Sequence, residues 1–207
     1  MEEEKIVNNP GNKGEIEKCQ EEEVTIGGFI KDILKFTLLS LIVVVPIRVF
    51  IAQPFLVSGS SMVPTFHDGE YLIINEVSYY FEKPTRGQVI VFKYPYDLSK
   101  YFIKRIIGLP GETVNIDYGK LSIVNKDHPE GFTIDEPYIT ETWGNRKMSV
   151  TLSNEEYFVM GDNRNASSDS REWGPLDRKF ITGNVGLRLL PVTKVGINPG
   201  AVAKITN

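Results

Sequence analysis

The chain has 207 residues, 41% hydrophobic and 24% charged, with a formal net charge of −4; it is long enough for one sizeable core and carries no broad basic field for nucleic acid. A single cysteine, Cys19, excludes an intrachain disulfide and a cysteine-built metal site. With only His67 and His128 beside it, no zinc centre of the usual nitrogen and sulfur kind is expected, and no metal or other cofactor is predicted.

Residues 1–25 hold eight Glu and three Lys, so the rest of the chain is nearly neutral. Their low hydrophobicity cannot offset the entropy of ordering, and they read as a disordered acidic tail. From Gly27 the character changes. Residues 36–47, FTLLSLIVVVPI, are uncharged, and the apolar text resumes beyond Arg48 as far as Val57. A bilayer core takes about 20 mostly apolar residues as helix. The stretch 33–53 meets that length with Arg48 near one end, where it can snorkel to the interface. A transmembrane anchor is therefore expected over 28–53, with a buried core helix as the alternative. A cleaved signal peptide fits poorly, because an acidic leader of more than thirty residues precedes the apolar run. Lys31 and Lys35 against Arg48 place the N-terminus in the cytoplasm by the positive-inside rule.

The anchor runs into residues 58–65, SGSSMVPT, where small residues permit close backbone approach and Pro64 fixes one dihedral. Beyond it the text is β-like. Residues 70–76, 88–93, 101–107, 113–116, 120–124, 149–152 and 157–160 are short β-branched or aromatic runs divided by Gly, Pro, Asn and Asp. The expected fold is mostly β: an antiparallel sandwich or partly closed barrel over 54–116 and 157–195, with a small inserted β lobe over 117–156. One N-terminal transmembrane helix tethers it, and residues 196–207 form a C-terminal tail.

Three stretches carry candidate chemistry. Ser61 is either a nucleophile or a serine in a solvated turn. Both histidines read as surface residues rather than bases, and neither G-x-S-x-G nor S-x-x-K is present. The other base for a hydroxyl nucleophile is lysine, which must be neutral; bringing it from about 10.4 to about 7–8 takes roughly 4 kcal/mol of bias from apolar burial. In YFIKRIIGLPGE, Lys104 alternates with Phe102 and Ile106 on one face of a strand, while Ile103, Arg105 and Ile107 share the other. The alternatives are an aggregation-blocking edge lysine, or Lys93 in the same role. Residues 161–174, GDNRNASSDSREWG, are far richer in hydrogen-bonding groups than a connector needs. Asp169 and Arg171 suit an ion pair, and Ser167 suits orientation of a neutral amine. Arg164 at the third position counted from Asp162 argues against an EF-hand calcium loop.

Taken together and in this order, these stretches resemble the bacterial type I signal peptidase family, membrane-bound serine proteases that remove signal peptides from exported proteins. SGSSMVPT is similar to the family's serine box, RGQVIVFKYP to its R-G-D strand, YFIKRIIGLPGE to its lysine box and GDNRNASSDSREWG to its G-D-N-R box; VGLRLLP resembles its last strand more loosely. The likeness spans about 33–191. It implies Ser61 as nucleophile, Lys104 as general base, Ser167 as the lysine's hydrogen-bond partner, and Asp169 with Arg171 as the supporting pair. Gly59 stands where some members have an oxyanion-hole serine, so the hole is expected to rely on the Ser61 N–H, with Ser60 as an accessory donor. Gln88 replaces an acid in the R-G-D strand.

The resemblance further implies acyl-enzyme cleavage after Ala-x-Ala-like sites in signal peptides bound as an added strand. Shallow pockets would be lined by Phe55, Val57, Met62, Leu72, Val91, Phe102 and Ile103. The protein is expected to act as a monomer against the lipid bilayer of the plasma membrane, single-pass, with the catalytic domain on the extracytoplasmic face. A self-cleaving repressor would share the dyad but lacks the membrane segment, and a binding-only β-domain would not retain both Ser61 and Lys104.

Overall fold

The computed structural model describes residues 26–46, 53–144 and 147–202, so the acidic tail expected over 1–25 lies outside the described residues. Two compact units divide between Ile42 and Val43. Helix α1 (Ile26–Pro46) exposes its large apolar side chains from Ile26 to Val44. No helix among the described residues is long and apolar enough to cross a membrane. Lys31, Asp32 and Lys35 fall inside α1 and leave 36–46 as its longest uncharged stretch, which rises about 16 Å as a helix against roughly 30 Å of hydrocarbon. The anchor expected over 28–53 is thus not contained in α1, and 47–52 lie outside the described residues.

The second unit is built from short strands in antiparallel pairs. In chain order these are β1 (Gln53–Leu56), β2 (Tyr71–Asn75), the one-turn helix α2 (Ser78–Phe81), β3 (Val89–Tyr94) and β4 (Asp97–Gly108). Then come β5 (Thr113–Asp117), β6 (Lys120–Val124), β7 (Phe132–Thr133), β8 (Lys147–Thr151), β9 (Glu156–Met160), the one-turn helix α3 (Ser170–Trp173), β10 (Leu176–Asp177), β11 (Ile181–Leu190) and β12 (Gly196–Ile197). The larger sheet runs β1-β2-β11-β3-β4-β9-β10, with β12 added to β11; the smaller runs β7-β6-β5-β8. Both are open. Of the sandwich or partly closed barrel expected from the sequence, the antiparallel β architecture is present, but among the described residues no barrel closes, because β1 and β10 end the path as short edge strands.

Burial explains the strand texts. β2, β5 and β6 alternate buried and half-buried residues, as strands with one covered face do. β3 is buried at four successive positions, Val89 to Phe92, because both its faces are covered. Val89 and Val91 pack with Val57, Met62, Phe66, Leu72 and Val185. On the opposite face Ile90 and Phe92 pack with Ile106, Tyr157, Val159 and Leu176. A third cluster joins the sheets: Ile107, Phe158 and Met160 of the larger meet Val114, Ile116, Leu121 and Ile123 of the smaller. Residues 196–202, read from the sequence as part of a tail, are instead built into the fold, since β12 pairs with β11 and Asn198 N–H donates to Gly186 O at 2.8 Å.

Phe158 is fully buried where the two sheets meet. Phe158→Ala is expected to destabilise the protein by about 3–5 kcal/mol, read as a lowered denaturant midpoint. A loss below about 1 kcal/mol would show that the sheets do not share a core.

Candidate active site

The turn after β1 is held from several sides. Val57 N–H donates to Glu70 O and Gly69 N–H to Val57 O, both at 2.9 Å, which closes residues 57–70 into a loop. Met62 and Phe66 are buried in the core beneath it, leaving Ser61 on the rim. Gly59 has φ +94°, a conformation that strains any side chain, and its N–H donates to Asp68 Oδ1 at 2.7 Å. That geometry accounts for the glycine where a hydroxyl donor might have stood.

β4 brings Lys104 against this turn. Its Nζ lies 2.8 Å from Ser61 Oγ and donates to Ile103 O at 2.9 Å. The side chain is 4% exposed. Burial pulls its pKa down to about 8, against the upward pull of Asp169 and Asp162 and with a smaller downward push from Arg171. The displacement corresponds to about 3 kcal/mol of bias toward the neutral amine. Lys93, the other lysine candidate, is exposed on β3.

The polar loop locks onto the serine turn through backbone. Asn163 N–H donates to Ser61 O at 3.0 Å, and its side-chain amide donates to Ser60 O at 3.2 Å. Gly161 passes so close that a Cβ there would lie 2.4 Å from Ser61 O and 2.2 Å from Ser167 Oγ. Asp169 is buried, caps α3, accepts from Gly161 N–H at 3.0 Å and receives Nε and Nη2 of Arg171 at 2.8 Å each. Burial would raise its pKa, but Arg171 and the Gly161 N–H hold it below the ordinary value.

Ser167 departs from expectation. Its Oγ is buried beside Gly161 on the side of Asp169, and the second contact of the lysine amine is the Ile103 carbonyl.

Ser61 and Lys104 both line a cleft of about 500 Å³. Phe55, Val57, Leu72, Val91, Phe102 and Ile103 line it as expected. Met62 does not, because it faces the core as a 1% exposed anchor of the turn. Ser60 lies on the cleft wall. Sequence reasoning missed Tyr101, whose ring meets Phe55 edge-on at 5.1 Å, and Ala166 and Ser168 on the loop side. It also missed the Arg105–Asp162 pair. Arg105 Nε donates to Asp162 Oδ1 at 2.8 Å and Nη2 to Oδ2 at 2.6 Å, with both side chains fully buried. An arginine in an apolar strand, with an aspartate in the loop that must approach that strand, was the available signal.

Comparison with known families matches residues 30–190 to "Signal peptidase, peptidase S26". The chain is 38% identical to the probable signal peptidase I-1 of Synechocystis sp. over 81% of this chain and 86% of that one. It is 31% identical to the signal peptidase I of Bacillus amyloliquefaciens over 86% and 97%, respectively. A solved signal peptidase I from Enterococcus faecalis V583 aligns at 30% identity and a TM-score of 0.43, covering 50% of this chain and 97% of that one. With a family match over residues 30–190 and relatives of this similarity over more than four fifths of the chain, the chain belongs to the signal peptidase family, peptidase S26.

Proposed function

We propose that the protein removes signal peptides from exported preproteins, with Ser61 as nucleophile and neutral Lys104 as general base. The observation that carries this reading is the 2.8 Å approach of a buried lysine amine to a serine hydroxyl in the wall of a mostly apolar cleft. With the amine neutral, its lone pair accepts the Ser61 proton as Oγ attacks the scissile carbonyl. The protonated amine then passes that proton to the leaving nitrogen, and an ester on Ser61 remains. Water, deprotonated by the same amine, releases the acid and restores the hydroxyl.

The Ser61 N–H, with Ser60 as accessory donor, would stabilise the oxyanion. Substrate would lie as an extended strand between residues 55–61 and 100–104. Small side chains before the cut, as in Ala-x-Ala, suit a shallow wall of Phe55, Val57, Leu72, Val91 and Ile103. Asp169 and Arg171 hold the loop against the serine turn, and Ser167 packs at that junction. The same reading places the chain at the plasma membrane, anchored through α1 and the apolar continuation to residue 53, with the N-terminus cytoplasmic and the β-domain outside, acting as a monomer.

In detergent, Ser61→Ala and Lys104→Met are each expected to lower cleavage of a preprotein by at least about 10³-fold while leaving the thermal melt close to the parent's. A Lys104→Met variant with parental activity would refute the dyad. Because the base acts only when unprotonated, kcat/KM should climb about tenfold per pH unit below about 8 and level off above it. A rate that is flat from pH 6 to 9 would rule out lysine as the base.

A further inference from the structure

The family match ends at residue 190, yet the chain beyond it reaches the back of the active site. After β12, Ala201 N–H donates to Asn198 O at 3.1 Å, with Pro199 and Gly200 between them and Gly200 at φ +77°. Proline followed by a glycine of positive φ is the sequence of a type II turn. This turn carries the Gly200 carbonyl to 2.6 Å from Arg105 Nη1.

Arg105 directly follows Lys104, and the guanidinium has five N–H groups to satisfy. Nε donates to Asp162 Oδ1. Nη2 donates to Asp162 Oδ2 at 2.6 Å and lies 3.5 Å from Thr65 Oγ1. Nη1 donates to Gly87 O at 2.7 Å and to Gly200 O. Without the turn, one N–H of a fully buried charge loses its acceptor. The turn also packs directly on the serine segment: a Cβ on Gly200 would lie 2.7 Å from Thr65 Cγ2 and 3.1 Å from Phe66 Cε2.

We infer that the Pro199–Gly200 turn is a positioning element of the catalytic site, holding Arg105 and residues 65–66 so that the Ser61 turn and the Lys104 strand keep their register. It does not line the cleft, so its effect falls on turnover rather than on substrate binding. This inference rests on the Ser61–Lys104 reading above.

The test compares the full chain in detergent with chains ending after Asn198 and after Val202, using a peptide with small residues at the first and third positions before the cut. The chain ending at 198 should lose about ten- to a hundredfold in kcat with KM within about twofold, at a temperature where its circular dichroism matches the parent. The chain ending at 202 should keep the parental kcat. A folded chain ending at 198 with kcat within twofold of the parent overturns the inference, as does an equal loss in the chain ending at 202. If the shorter chain does not fold, Gly200→Ala in the full chain decides by the same kcat and KM criteria. Ser61→Ala, run in parallel, separates the two readings: if it cleaves like the parent, the dyad falls, whereas a dead Ser61→Ala beside an unaffected truncation removes only the role of the turn.

Discussion

The buried ion pair between Arg105 and Asp162 is the constraint on which the site depends. A guanidinium and a carboxylate removed from water are costly unless each polar atom finds a partner. Here the fork meets both carboxylate oxygens, Asp162 Oδ2 also accepts from Thr65 Oγ1 at 2.5 Å, and the Tyr138 ring lies 4.0 Å from the Arg105 guanidinium carbon. These contacts join the serine segment, the segment before β3, the lysine strand and the polar loop at one point. Displacing the lysine strand or the polar loop would leave an unmatched charge in the interior, and displacing either of the others would take a hydrogen-bond partner from a buried ion.

Close backbone approach does the remaining work of assembly. Gly161 lies where no side chain fits, allowing the polar loop to rest on the Ser61 carbonyl, and Asn163 ties the loop to Ser60 and Ser61. Arg164, paired with both oxygens of Glu136 and set 4.6 Å from the Trp143 ring, connects the loop to the segment between β7 and β8. From Gly161 to Asn165 the loop is thus held by hydrogen bonds, which explains its density of Asp, Asn and Arg there, while Trp173 at its far end packs against Phe92 and Tyr94.

Alternation is enough to read β2, β5 and β6, whose burial follows the pleat, whereas β4 is buried at every position from Lys104 to Gly108, and its faces show only in its register with β3, where Lys104 faces Ile90 and Phe102 faces Phe92. Open sheets in place of a partly closed barrel were not legible, since closure depends on how edge strands such as β1 and β10 pair across the chain, and period alone carries no such information. The family resemblance places Met62 on the cleft wall, but neighbouring residues in a tight turn point in different directions, and its side chain is an anchor in the core. Arg105 was visible as the residue beside the lysine. Its role was not, because it depends on Gly87, Asp162 and Gly200, which are distant in sequence and contribute two carbonyls that no residue identity announces.

The electrostatics of the lysine follow from the same arrangement. Two carboxylates, Asp169 and Asp162, lie near enough to Lys104 to favour its ammonium form. Unopposed, they would keep the amine charged and unable to accept a proton. Each is instead engaged by its own guanidinium through two hydrogen bonds, Asp169 by Arg171 and Asp162 by Arg105. Arg171 offsets part of that pull, and burial outweighs what remains of it, so the pKa settles at about 8. Arg171 therefore does more than brace the loop: with burial, it leaves a lysine whose lone pair is available near neutral pH.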